Sequence, residues 1–254
     1  GGGIYCEGPG LIEGCLIVSN TCTGGESVGG GIYASGMVRV VNCTVITNQA
    51  RGGTQFIYYG RGGYGGGIYA IDGVEIEACT VSHNIVTASS SMYAGVALGG
   101  GIYSSRANVR RCRINENTAQ SRGYASRGYP TAGGGGIASV WESLIENCVI
   151  WSNRSDGADA YGGGISVYST GTVVNCSVVA NAITTGGPYY NAGGGIYAEY
   201  GGRILNTIIQ NNYGGRIGHE NWYAGTDASF VNTCTTPRPN GEGHITGDPL
   251  FVNA

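Results

Sequence analysis

The chain has 254 residues, a formal net charge of −3 and only 11% charged residues. So weak a field favours neither nucleic acid nor an anionic membrane surface, and no apolar run approaches the roughly 18 residues of a spanning helix. Fifty glycines and 18 tyrosines fit a turn-rich β protein, whereas the lack of a G-X-Y period excludes a collagen-like chain.

The first element met is also the one that returns. Glycine triplets begin at Gly1, Gly29, Gly65, Gly99, Gly134, Gly162 and Gly193, each followed by an isoleucine: Ile4, Ile32, Ile68, Ile102, Ile137, Ile165 or Ile196. A closing asparagine falls at Asn20, Asn48, Asn84, Asn117, Asn153, Asn181 and Asn212. It follows the first glycine by 19 positions in six copies and by 18 in the fourth. Between these marks run three further columns. One is Ile12, Val40, Ile76, Val109, Ile145, Val173 and Ile204; the second is Cys15, Cys43, Cys79, Cys112, Cys148 and Cys176, with Thr207 seventh. The third is Ile17, Val45, Val81, Ile114, Ile150, Val178 and Ile209. Cysteine and the following β-branched residue are two apart, the period of a strand with both side chains pointing inward.

A unit of about 20 residues cannot bury its apolar face alone, but stacked copies can, each about 4.8 Å above the last. The columns then become ladders of like side chains, the glycine triplets supply the tight turns, and an inward asparagine at a bend bonds to the asparagine above it. The expected fold is all-β, a parallel β-helix of seven to eight coils with variable loops on one edge. Residues 1–212 form the array, and 213–254 an irregular last coil or cap.

This repeated GGGIY…NCTVxxN pattern resembles the right-handed parallel β-helix repeat proteins, the pectin-lyase-like superfamily of secreted bacterial and environmental sequences. The tail Cys234-Thr235-Thr236-Pro237 and Gly247-Asp248-Pro249-Leu250-Phe251-Val252 is similar to the segment that often closes such arrays. The resemblance implies a secreted, extracellular or cell-surface protein. It leaves function open, because this architecture carries lyases, hydrolases, adhesins and inert fibres.

Nine cysteines would suggest disulfides or metal, but parallel neighbours about 4.8 Å apart do not match the roughly 3.8 Å Cβ separation of a disulfide. The column therefore reads as buried thiols acting as small hydrophobes. Cys6, Cys22 and Cys234 lie outside it; a Cys6–Cys22 bridge stays open and Cys234 is unassigned.

The variable segments 21–28, 49–64, 85–98, 118–133, 154–161 and 182–192 are expected to leave as loops and form one lateral surface, where binding usually resides. Three of them carry Arg51, Arg61, Arg122 and Arg127 without an acidic residue, together with Tyr58, Tyr59, Tyr64, Tyr93, Tyr124 and Tyr129. Tyrosine offers contact area at little entropic cost and arginine offers planar donors, a mixture suited to recognition. These ten residues are the candidate partner-binding face, for a glycan, an acidic polymer or another protein, copies of the chain included; packing over the coils explains them as well. Segment 154–161 reverses the sign with Asp156 and Asp159, which could hold a cation but read more readily as an exposed acidic loop. Tyr5, Tyr33, Tyr69, Tyr103 and Tyr197 should point outward and stack, interrupted at Ala138 and Ser166.

Catalysis finds little support. Lyases and glycoside hydrolases of this architecture need clustered carboxylates. Here Glu75 with Glu77, and Glu142 with Glu146, do not recur on neighbouring coils, while His83, His219 and His244 fall in separate contexts. No cofactor or metal motif appears. The sequence opens directly on a coil, so either a cap is lost with missing sequence or another copy covers that end, which leads to the expectation of end-to-end pairing. The leading expectation is an extracellular, non-catalytic solenoid with a structural or adhesive role; the alternative is a glycan-binding or carbohydrate-active domain using the Tyr/Arg face.

Overall fold

The computed structural model describes residues 1–53, 62–89, 95–122, 132–184, 191–215 and 219–249. Its strands pair in parallel, each with its counterpart in the next repeat. The first sheet stacks Ile4–Glu7, Ile32–Ser35, Ile68–Ile71, Ile102–Ser105, Ile137–Val140, Ile165–Tyr168, Ile196–Glu199 and Trp222–Ala224 in that order. A second eight-stranded sheet runs from Gly10–Glu13 to Ser229–Val231, and a third from Leu16–Val18 to Cys234–Thr235. The chain is a parallel β-helix of eight coils. The eighth follows Asn212, with Trp222–Ala224, Ser229–Val231 and Cys234–Thr235 paired onto the seventh.

The expected columns are the core. Ile32, Ile68, Ile102, Ile137, Ile165 and Ile196 are fully buried and meet in register. Val40, Ile76, Val109, Ile145, Val173 and Ile204 do the same on the second sheet, and Val45, Val81, Ile114, Ile150, Val178 and Ile209 on the third. Burying each such side chain is worth about 1.5–3 kcal/mol, and β-branched residues already favour the extended backbone.

Two corners flank the third sheet, and both are built the same way. The residue before each inward Cys or Asn takes the left-handed conformation, as at Arg111 (φ 54°) and Glu116 (φ 55°). That conformation costs a non-glycine residue about 1–2 kcal/mol, so the inward side chain must hold the bend. Asn48 shows how. Its Nδ2 donates to Ile46 O two residues back (3.1 Å), to Ile17 O of the coil before (2.9 Å) and to Asn84 Oδ1 of the coil after (3.0 Å). Its own amide also donates to Asn84 Oδ1, at 2.9 Å. The pattern repeats up to Asn212, where Asn221 supplies the accepting oxygen.

The cysteines are more than small hydrophobes. The Cys43 thiol donates to Val41 O two residues back (3.3 Å), and its amide donates to Cys79 Sγ at 3.4 Å. Thus each thiol closes its corner much as asparagine does. Thr207 takes over with a hydroxyl, which donates to Leu205 O (2.7 Å) and accepts from the Cys176 amide (3.4 Å). On the eighth coil Thr233 occupies the column, and His244 Nδ1 lies 2.8 Å from its hydroxyl. All nine cysteines are free thiols. Burial pushes the Cys43 thiol up. Cys112 and Cys176 are held well above the ordinary thiol value by their hydrogen bonds to Cys148 and by burial.

Each glycine triplet has a steric cause. The first residue has positive φ (63° at Gly65), and a Cβ on the second would run into the glycine carbonyl of the next coil, as at Gly66 against Gly100.

The variable segments do leave from one edge, but they do not begin and end as loops. Their first residues form a fourth parallel sheet, Thr21–Gly24, Gln49–Gly52, Ile85–Ser89, Thr118–Arg122, Arg154–Asp156 and Ala182–Ile183. Their last residues form a fifth, Ser27–Val28, Gly63–Tyr64, Ala97–Leu98, Ala132–Gly133 and Ala160–Tyr161. These two sheets pack face to face as a stem along the solenoid. Its interior is Ala50, Val86, Ala88, Ala97 and Ala119, then Ala132, Ala160 and Ile183. Contact is so close that a Cβ on Gly52 would lie 2.7 Å from the Gly62 backbone.

Candidate functional site

The face most distinct in chemistry is the outer side of the first sheet, where it meets the stem. Tyr5, Tyr33, Tyr69 and Tyr103 follow the inward isoleucines, so alternation turns them outward, and strand register sets them one above another. Their ring centroids are 4.6, 5.4 and 4.9 Å apart, with planes within 6°, 17° and 8° of parallel. Tyr64, from the stem, sets its ring edge-on to Tyr103 at 5.3 Å and to Tyr69 at 6.5 Å.

This geometry limits what the column can bind. A sugar stacks on an exposed ring face, but inside this column each face is covered by the next ring. What reaches solvent is a row of edges and hydroxyls. Burial, reinforced by the neighbouring rings and carboxylates, pushes the Tyr69 phenol up to about 12; the hydrogen bond to Glu7 takes Tyr5 up to about 12.

The column stops where the sequence loses tyrosine. Ala138 and Ser166 are fully buried, and the stem and strand residues Tyr161 and Tyr168 crowd against Tyr197 beyond them, at 4.6 and 5.9 Å. Tyr197 then stacks on Tyr223 at 5.2 Å, within 4° of parallel. Its hydroxyl donates to the Glu199 carboxylate, and burial followed by that bond raises its phenol. Sequence reasoning missed Glu7 and Glu199. The signal was present, since each lies two residues after its tyrosine and therefore on the same strand face.

Of the ten candidate partner-binding residues, Arg51, Tyr64 and Arg122 are described; Tyr58, Tyr59, Arg61, Tyr93, Tyr124, Arg127 and Tyr129 lie outside the described residues. Arg51 and Arg122 are exposed and leave the outer face of the fourth sheet, opposite the buried Ala50, Gly52 and Ser121. Tyr64 leaves the outer face of the fifth. The stem therefore brings the two arginines to one side and turns Tyr64 to the other.

Of the carboxylates singled out in sequence, Glu75, Glu77, Glu146 and Asp156 are engaged with cations, while Glu142 is exposed. Glu75 accepts from Asn108 at 2.7 Å and pairs with Arg110 at 3.2 Å; Arg110 also reaches Glu146 at 3.3 Å. Glu77 pairs with Arg111 and, at 3.9 Å, with Arg39. Asp156 is bound by Arg154 (2.8 Å) and Gln120 (3.1 Å), while Asp159 is buried, so segment 154–161 is not an exposed acidic loop. His83 pairs with Glu116, and His219 meets Tyr223 edge-on. Among the described residues no group of three or more His, Cys, Asp or Glu is placed to hold a metal ion. Nor is any helix among them long and apolar enough to cross a membrane.

The family described as the right-handed β-helix region matches residues 58–234. The chain belongs to the right-handed β-helix family. A search of curated proteins and a search of solved structures each returned no match. In this β-helix, then, membership fixes the path of the backbone, and any activity has to be argued from the side chains it displays.

Proposed function

We propose that the protein is an extracellular, non-catalytic β-solenoid with a structural or adhesive role, whose partners are copies of itself or an extracellular glycan. The observation that carries this reading is the state of four outward carboxylates on the strands. Glu75, Glu77, Glu146 and Asp156 are each held by arginine. A glycosidase or lyase needs carboxylates free to exchange protons or bind a cation beside the sugar. Continuous ladders of Ile, Val, Cys and Asn support the same reading, because they stiffen the coils.

The test is incubation of the purified protein with a panel of neutral and acidic polysaccharides, reading retention on the polymer and polymer length together. A structural or adhesive protein is retained, or sediments with its own copies, while the polymer keeps its length. New chain ends or shortened polymer contradict the proposal.

A second reading, glycan binding through the Tyr/Arg face, draws on the placement of Arg51 and Arg122 on one exposed face of the stem. Replacing Arg51 and Arg122, or Arg61 and Arg127, by alanine then weakens retention on acidic polymers several-fold. Retention indifferent to all four changes removes that face.

A further inference from the structure

We propose that the stacked tyrosines are a site of oxidative cross-linking, at which a peroxidase-type one-electron oxidant joins successive coils through dityrosine bonds. This goes beyond the functional reading above and does not depend on it, since it rests on the geometry of the rings alone.

Three observations carry it. First, register holds Tyr5, Tyr33, Tyr69 and Tyr103 face to face at 4.6–5.4 Å, so a radical formed on one ring has its partner in contact without a diffusional search. Tyr197 and Tyr223 form a separate pair at 5.2 Å. Second, the Tyr197 phenol donates a hydrogen bond to the Glu199 carboxylate, and Glu7 lies two residues after Tyr5 on the same strand face. A phenol that loses an electron must also lose its proton, and these carboxylates are poised to accept it. Third, the ring edges of Tyr33, Tyr69 and Tyr103 remain partly exposed, and Tyr5 is 62% exposed, which gives an external oxidant access; in the second segment Tyr197 is buried and the oxidant reaches it through the partly exposed Tyr223.

The chemistry balances with hydrogen peroxide as terminal oxidant. Two tyrosines each give up one electron and the phenolic proton, and one peroxide takes both electrons and both protons to become two waters. The two phenoxyl radicals then join through their ortho carbons, and each ortho hydrogen migrates to its oxygen, restoring two phenols. Rotation of the rings about their Cβ–Cγ bonds turns the stack edge to edge. The ortho–ortho bond holds the two Cβ atoms farther apart than the roughly 4.8 Å coil spacing, so each link also spreads the two strands it joins.

The gap at Ala138 and Ser166 makes the proposal specific. Tyr103 and Tyr197 are three coil steps apart, about 14 Å, so no link joins the two segments. The experiment treats the folded protein with a haem peroxidase and limiting hydrogen peroxide, then maps linked peptides by protease digestion and mass spectrometry. Expected are links Tyr5–Tyr33, Tyr33–Tyr69, Tyr69–Tyr103 and Tyr197–Tyr223 within one chain, with none between Tyr103 and Tyr197. Tyr69→Phe, which keeps the ring stack, abolishes two of these links and spares Tyr5–Tyr33 and Tyr197–Tyr223. Glu199→Gln lowers the yield of Tyr197–Tyr223 several-fold and leaves the other segment unchanged. Links confined to tyrosines outside the column, such as Tyr58 or Tyr124, or column links that appear only after denaturation, overturn the proposal.

Discussion

The solenoid and the stem are built from the same coils by opposite rules of size. Inside the three main sheets the columns are Ile and Val, and the space is filled by large side chains. Inside the stem they are mostly Ala and Gly, with Val86 and Ile183 the larger members, and a Cβ on Gly63 would fall 2.7 Å from Val86 Cγ2. Side-chain volume thus sets how closely two sheets approach: the main core spends its volume on burial, and the stem gives up burial for contact between backbones. The main core should then fail when it is emptied, and the stem when it is filled.

The largest loss is expected where polarity and burial combine. Asn117 is fully buried; its Oδ1 accepts from Asn84, and its Nδ2 donates to Val81 O (2.9 Å) and Asn153 Oδ1 (2.9 Å). Asn117→Ala removes those partners and lowers unfolding free energy by about 3 kcal/mol or more, read by denaturant titration. Ile114→Ala empties the main core beside it and costs about 2–5 kcal/mol by the same measurement.

Filling the stem sharpens the contrast. Ala97→Leu overpacks a space bounded by Ala50, Val86, Ala88 and Ala119 and costs about 1–3 kcal/mol. Its signature is local, with faster amide exchange in Gly63–Tyr64 and Ala132–Gly133 while the Ile ladders stay protected. Equal loss of protection in both regions would mean that the stem and core are one cooperative unit.

That contrast also explains what was legible in the sequence. Ile, Val, Cys and Asn recur at constant spacing because each occupies one fixed height in every coil, so the main core could be read as columns. Ala50, Ala119, Ala97 and Ala132 also align, but small residues beside Gly and Ser look like loop composition and carry no β-branched signal. The corner residues were hidden for a different reason. His83, Arg111 and Glu116 adopt a strained φ that their chemistry does not announce, because the neighbouring Asn or Cys holds the bend for them. On the candidate face, Arg51 and Arg122 were recognisable by type. That the stem separates them from Tyr64 was not, since it depends on strands that the composition concealed.

Smaller effects test the side chains on the surface of this frame. The Tyr69 phenol is raised from 10.0 to about 12 in the folded chain. The protonated ring is therefore favoured by folding, and its contribution is complete below the unfolded value and lost as pH rises from 10 towards 12. Stability should decline over that window, and decline less in Tyr69→Phe, as followed by denaturant midpoints. A Cys112→Ser change should cost little compared with Cys112→Ala, because a hydroxyl can make the same corner bond, as Thr207 does. The smallest change is expected for Arg110→Ala, which breaks ion pairs on a partly exposed face at a cost of about 1 kcal/mol or less.

The central claim is that equivalent residues of successive coils lie directly over one another. A crystal structure tests it most directly at the fourth cysteine of the chain and the one after it. The account predicts the Cys43 amide within hydrogen-bonding reach of the Cys79 thiol, near 3.4 Å, with Asn48 against Asn84 in the same density. Cys43 facing any residue of the following coil other than Cys79, or separated from Cys79 by more than one coil, would contradict it.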